Sequence, residues 1–283
     1  MNSDAALLAE LEKIRLALTR LADGNAGAQG APQGEHRAWR WTHRRGFLPI
    51  AAPRLMDPDD LLGIDRQREI LLRNTRQLLA GRPANHALLW GARGTGKSSL
   101  IRSLPRHFPD APLRLIELDA AELRHLPDLL PSLADLPHAF VLFADDLSFS
   151  AADPSYTALK ALLDGSLAGA PPNVLIYATS NRRHLMPESV RDNQEAVIED
   201  GELHPGEAVE EKISLSERFG VWLSFHPFSQ DQYLACVQHW LSRLGVPASA
   251  HDALIRESLR WALTRGARNG RVAYQFAVSA LGE

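Results

Sequence analysis

The sequence predicts an α/β fold, a parallel sheet covered by helices on both faces, with its working end where the strands stop. Three observations predict it. Apolar runs of strand length alternate with segments of helical spacing from about residue 65 to residue 179. One such run, His86-Ala87-Leu88-Leu89-Trp90, leads into Gly91-Ala92-Arg93-Gly94-Thr95-Gly96-Lys97-Ser98, which sets glycines, a lysine and a hydroxyl at the spacing of a phosphate-binding loop. A later run, Phe140-Val141-Leu142-Phe143-Ala144, ends in Asp145-Asp146. Ligands of parallel sheets bind at the carboxyl ends of the strands, and both motifs fall there.

The glycine loop reads as the floor of an ATP site. A triphosphate needs backbone N–H groups turned inward around it, and glycines let the chain curl that tightly without a Cβ clash. Residues Gly91, Ala92, Arg93, Gly94, Thr95, Gly96, Lys97, Ser98 and Ser99 form this cradle, with Lys97 as a point charge for the β and γ phosphates and Ser98 as a Mg²⁺ ligand. The helix that starts here adds its dipole. The chain has four lysines (Lys13, Lys97, Lys160, Lys212) against 27 arginines, so a lysine at this position is a choice of a compact charge over a planar fork.

Composition bounds the rest. With 283 residues and 45 % hydrophobic content the chain can build one sizeable domain and a smaller one. A net charge of −3 gives no global attraction to nucleic acid or to an anionic membrane. The single cysteine, Cys236, has no internal disulfide partner, and its neighbours at helical spacing make it a buried inert thiol. No apolar run approaches the roughly 18 residues of a membrane helix, and Asp4, Glu10 and Glu12 stand where a signal peptide would carry cations. A cytoplasmic protein without membrane contact is expected.

In chain order, residues 4–22 carry Leu7, Leu11, Ile14, Leu18 and Leu21 at the spacing of a coiled-coil seam, and residues 23–34 form a Gly/Ala/Gln linker. In Arg37-Ala38-Trp39-Arg40-Trp41-Thr42-His43-Arg44-Arg45 tryptophans alternate with cations. That segment suits a single-stranded nucleic-acid contact, or an arm laid across the main domain with Trp39 and Trp41 buried; the second is preferred. A helix follows over about 65–81, ended by Gly81 and Pro83, and then the strand, loop and helix of the phosphate motif. Strand 113–118, helical pieces broken by Pro127 and Pro131, strand 139–144, a helix from Pro154 to about 167 and strand 173–179 complete the alternation.

Two carboxylates in succession after a buried strand are costly unless a cation or water network uses them. Asp145 is assigned to Mg²⁺ through water and Asp146 to orienting the attacking water, the bland alternative being that the pair caps the next turn. Residues 186–211 hold nine acids against one base, either a dock for a basic partner or a neighbouring subunit, or a solvated insertion. His86, His184, His204 and His226 show no metal-ligand spacing.

Together the glycine loop and the paired aspartates resemble those of the AAA+ superfamily of P-loop ATPases, over roughly residues 54–281. The resemblance implies an αβα sandwich on a five-stranded parallel sheet with a small C-terminal helical lid. Tyr177-Ala178-Thr179-Ser180-Asn181-Arg182 resembles the sensor 1 segment, which implies that Asn181 lies between the γ-phosphate and the catalytic water. Leu215-Ser216-Glu217-Arg218-Phe219-Gly220 resembles the arginine-finger box before the fifth strand, which implies that Arg218 reaches the site of a neighbouring subunit. Gly266-Ala267-Arg268-Asn269-Gly270-Arg271 resembles the sensor 2 region with Arg271 as its arginine, and Leu62-Gly63-Ile64 resembles the loop that touches adenine, so Gly63 and Ile64 are binding candidates. More narrowly, Asp60-Leu61-Leu62-Gly63-Ile64-Asp65, Asp145-Asp146-Leu147-Ser148-Phe149 and Ala178-Thr179-Ser180-Asn181-Arg182-Arg183-His184-Leu185 are similar to phrases of a bacterial domain-of-unknown-function family of predicted AAA+ ATPases.

The chain departs from that narrower family at Ser150, where glutamate is usual, and from AAA+ motors at Asp146, one methylene shorter than their glutamate. Replication-initiator ATPases resemble it in carrying two aspartates. The expectation is therefore a slow, Mg-dependent ATP switch, a homo-oligomer through Arg218, that acts on an unknown client protein. The alternative is a non-hydrolysing, nucleotide-gated scaffold for a protein or DNA partner. The expected divisions are residues 1–35 (helix and linker), 36–62 (arm), 63–227 (nucleotide-binding domain) and 228–283 (lid).

Overall fold

The structure is a computed structural model that describes residues 31–32, 34–149, 153–164, 169–183, 185, 197–199, 202–204 and 215–282. The N-terminal helix, Ser150 and most of the acidic segment lie outside the described residues.

The sheet holds seven strands in the order β2-β1-β4-β5-β6-β3-β9. They are β1 (Ala38–Thr42), β2 (Gly46–Pro49), β3 (Ala87–Gly91), β4 (Leu113–Leu118), β5 (Ala139–Ala144), β6 (Val174–Ser180) and β9 (Val221–Phe225). A separate antiparallel hairpin pairs β7 (Val197–Glu199) with β8 (Glu202–His204). All neighbours in the large sheet run parallel except β1 and β2.

Five of these strands, β4-β5-β6-β3-β9, are the parallel sheet expected from the sequence. The other two come from the segment read as an arm. Trp39 and Trp41 point to one side of β1 and Arg40 to the other, the period-two pattern of a strand. The tryptophans are 4 % and 6 % exposed in the core, and Arg40 Nη2 donates to Glu117 at 2.8 Å on the opposite face. β1 thus pairs the edge of β4 that would otherwise be open. Buried tryptophans offer no stacking platform, so the stacking part of the nucleic-acid reading of this segment does not hold, and the preferred arm reading has both tryptophans where it put them.

Strand alternation divides the core in two. Leu88, Ile116, Leu142 and Ile176 face one side, with Trp39, Trp41 and the short helix α3 (Leu126–Leu129) and helix α4 (Pro154–Leu163). Leu89, Leu115, Val141 and Tyr177 face the other, with Leu71 and Leu78 of α1 (Asp65–Leu79) and Leu100, Ile101 and Leu104 of α2 (Lys97–His107). All six residues of β5 and all seven of β6 are buried, as a sheet covered on both faces requires.

Helices α5 (Gln230–Arg243), α6 (Ala248–Thr264) and α7 (Gly270–Ser279) pack around a third core of Tyr233, Val237, Leu241, Ala273 and Phe276. α5 opens on a capping box in which Ser229 and Gln232 exchange side-chain and backbone hydrogen bonds. α7 opens on Asn269, whose Oδ1 accepts from Val272 N at 2.9 Å.

Candidate functional site

A cavity of about 850 Å³ lies where the carboxyl ends of β3, β5 and β6 meet the three-helix unit. Its floor is the glycine loop, and two of its glycines have no substitute. Gly91 has φ 125° and a Cβ there would stand 2.1 Å from the Phe225 carbonyl oxygen; Gly94 has φ 75° and its Cβ would meet the Asn269 side chain at 2.6 Å. The close approach of β9 and of the lid to the loop explains both.

Lys97 is 6 % exposed. Its Nζ donates to the carbonyls of Gly91 (2.8 Å) and Ala92 (2.7 Å) and to Asn181 Oδ1 (3.1 Å). Burial pulls its pKa below the ordinary lysine value, and Asp146 and Asp145 pull it back up. The ammonium is thereby held at the mouth of the loop, facing the cavity.

The carboxylates sit across from it and differ from each other. Asp145 Oδ1 accepts from Ser98 Oγ and from Thr179 Oγ1, each at 2.6 Å, and its Oδ2 accepts from Arg102 Nη2 at 3.1 Å. Asp146 has φ 53°, the one positive φ outside glycine among the described residues, and its N–H donates to Thr179 Oγ1 at 2.8 Å. That turn aims its carboxylate back at Asn181 Nδ2, which donates to it. Strained backbone of this kind persists where the surroundings over-determine it.

Arg93, Thr95, Ser99, Ile64 and Arg271 also line the cavity. Arg271 N donates to Gly94 O at 3.3 Å, and Asn269 Nδ2 donates to Arg93 O at 3.1 Å, so the start of α7 is bonded to the loop itself. Gly63 stands just outside, with φ 72° and Gln232 opposite. Of the other predicted residues, Gly91 and Ala92 lie behind the cavity wall, where their carbonyls accept from Lys97, and Arg218 is not part of that wall and pairs with Asp164 after α4.

Sequence reasoning missed five contributors. Thr179, one residue inside a motif already singled out, bridges the two aspartates. Arg102 follows Ser98 by four residues on α2, a spacing that puts both on one helix face. Asn269 is a helix cap with a second job, and Trp240 with Tyr274, edge to face at 4.8 Å, forms an aromatic wall on the lid side.

One further group among the described residues offers metal-type ligands, His43, His125 and Asp128. The two imidazoles stack with centroids 3.9 Å apart and planes only 9° off parallel, so no ion can lie in both ring planes, and Arg124 Nε donates to His125 Nε2 at 3.0 Å. The group is a surface cluster in which one Asp128 oxygen lies 3.6 Å from each imidazole. No helix among the described residues is long and apolar enough to cross a membrane.

Known structures share this architecture. Aeropyrum pernix ORC1, solved in complex with DNA, aligns with a TM-score of 0.51 at 16 % identity, over 77 % of this chain and 59 % of that one. The Thermotoga maritima RuvB Holliday junction branch migration motor aligns at 0.44 and 13 % identity, over 79 % and 71 %. The Trip13-containing HORMA:CdnC:Trip13 complex of E. coli MS115-1 aligns at 0.47 and 15 %, over 77 % and 89 %. No curated protein matches the sequence. The fold is that of the AAA+ P-loop proteins, and a matching sequence family covers residues 34–283. The chain belongs to that family, described as "Protein of unknown function (DUF815)".

Proposed function

We propose that the cavity binds Mg-ATP and that the protein hydrolyses it slowly, as an oligomeric switch acting on a client protein. The observation that carries the reading is convergence: Lys97 Nζ, the Ser98–Asp145 pair and Asn181 reach one cavity from three different strand ends. The residues fit the cation, since Ser98 Oγ and the Asp145 carboxylate, 2.6 Å apart, are hard oxygen donors of the kind magnesium takes. Magnesium bound there would supply charge for the transferred phosphoryl group. Lys97 exchanges its carbonyl partners for phosphate oxygens, Asn181 and Asp146 orient water at the γ-phosphate, Arg271 meets the phosphates from the lid, and Gly63 and Ile64 border the base. Calorimetry with ATP or ADP plus magnesium tests this directly: saturable heat is expected, and none from well-folded protein ends the reading.

Arg218 belongs to the same proposal as a finger acting on a neighbouring copy. Its position away from its own cavity supports a role in trans. Arg218→Ala is expected to keep ATP affinity and lose turnover, and phosphate release should rise steeply with protein concentration.

A second reading, a nucleotide-gated scaffold that does not hydrolyse, is favoured by one observation. The carboxylate assigned to water, Asp146, is short, turned by a positive φ and already bonded to Asn181. Phosphate release that stays flat with concentration would select it.

A further inference from the structure

One cation in the cavity wall has no part in the reading above. Arg102 stands one turn after Ser98 on α2, and its Nη2 holds Asp145 Oδ2 at 3.1 Å. Asp145 therefore has one oxygen fixed by the frame, through Ser98 and Thr179, and one held by a side chain that is 41 % exposed. A second acceptor lies beside that side chain. Glu117 Oε1 is 3.8 Å from the same Nη2, while Glu117 Oε2 accepts from Arg40 at 3.2 Å (Nε) and 2.8 Å (Nη2). Asp145, Arg102, Glu117 and Arg40 thus alternate in charge from the phosphate end of the sheet to its added edge strand. Arg102 also lies over the Phe143 ring at 5.5 Å and lines a second cavity of about 630 Å³ next to the first, so its head has both a support and room to move.

A carboxylate facing a cavity is costly without a counter-charge, and the oxygen that Arg102 covers is the one free to face a hydrated divalent cation. We infer that Arg102 is a positioning residue: it stands in for the cation at Asp145 in the nucleotide-free site, and its guanidinium passes to Glu117 when magnesium-nucleotide takes that place. The inference rests on the nucleotide reading and adds how the site senses its cation. A static network would leave Glu117 an effect of its own on the cation once Arg102 is gone. A handover couples them, because Glu117 matters only while Arg102 is there to be received.

The test is binding of a fluorescent, mant-labelled non-hydrolysable ATP analogue as free magnesium is varied, in the wild type, Arg102→Gln, Glu117→Gln and the double variant. Arg102→Gln is expected to lower the half-saturating magnesium about fivefold, and Glu117→Gln to raise it about threefold. Adding Glu117→Gln to Arg102→Gln should change nothing, and Arg102→Lys, which keeps a mobile cation, should restore the dependence on Glu117. Additive effects of the two substitutions, or an unchanged midpoint in Arg102→Gln, overturn the inference and leave the nucleotide reading standing. A wild type that binds no analogue at any magnesium concentration overturns the nucleotide reading, and the inference falls with it.

Discussion

β3 and β6 carry two buried polar centres, and they end differently. At the carboxyl ends Lys97, Asn181, Thr179 and the paired aspartates bond to one another around an open cavity. Deeper in the same sheet Tyr177 Oη meets Asn74 Nδ2 at 3.0 Å and Thr75 Oγ1 at 2.9 Å, Asn74 closes on the backbone of Asn85, and His86 Nδ1 accepts from Ile176 N at 3.0 Å. Tyr177, Asn74 and Thr75 are sealed in the core, their side chains bonded to protein partners, while Asn85 and half-buried His86 close the centre at its rim. The outer centre keeps a desolvated ammonium and two carboxylates where a ligand can reach them. Polarity inside a core marks a functional site only when its charges face space, and the two centres should therefore respond to substitution in opposite ways.

The largest effect is expected from Lys97→Ala. Loss of a buried charge-assisted contact to phosphate costs about 4 kcal/mol of binding, about a thousandfold in ATP affinity by calorimetry. The melting temperature should move little, because the ammonium that burial disfavours and the three hydrogen bonds it makes are lost together. A variant that melts early while still binding ATP would place Lys97 with the sealed centre and break the comparison.

These two centres also differ in how far they can be read from sequence. The glycine loop is legible because its constraints are local: Gly91 and Gly94 are demanded by φ, and the lysine and serine follow at fixed spacing. The parallel sheet is legible because β5 and β6 are apolar on both faces. Arg102, Thr179 and Asn269 acquire their contacts only through packing, from residues 43, 34 and 176 positions away, and no spacing rule encodes that. The Trp39-Arg40-Trp41 segment was legible in part. Its period of two signals a strand, but the partner it needs, the open edge of β4, appears only once the sheet order is known.

His86 gives the next effect, and it is one of pH. Burial pushes its pKa down to about 4, from 6.5 for the exposed ring. Above pH 6.5 neither folded nor unfolded chain binds this proton, so it contributes nothing. As pH falls from about 6.5 towards 4 the unfolded chain takes the proton and the folded one does not, so stability is lost across that window, by about 2 kcal/mol after allowance for partial exposure. His107 and His138 are also held low by burial and share the sign, so the measurement is a difference. Denaturant melts of wild type and His86→Gln, whose amide oxygen can accept the Ile176 N–H, should diverge below pH 6.5 and agree above it. Equal slopes would remove His86 from the sealed centre.

Tyr177→Phe is the smallest and the sharpest. Thr75 Oγ1 donates its one hydrogen to Leu71 O at 2.9 Å, so the hydrogen shared by the two hydroxyls belongs to the tyrosine. Burial holds the phenol protonated, its pKa pushed up to about 12 against the opposing pull of its hydrogen bonds. Removing the hydroxyl leaves one Asn74 N–H and one Thr75 lone pair without their partner, at a cost of about 1.5 kcal/mol. For a domain of this size that lowers the melting temperature by roughly 3–6 °C. ATP affinity should stay within twofold, since Tyr177 points to the α1 side of the sheet and Thr179, two residues on, stands at the strand end to meet Asp145. A change in affinity as large as the change in stability would show that the centres are mechanically one, joined through β6, and that sealing a polar group does not isolate it from the site beside it.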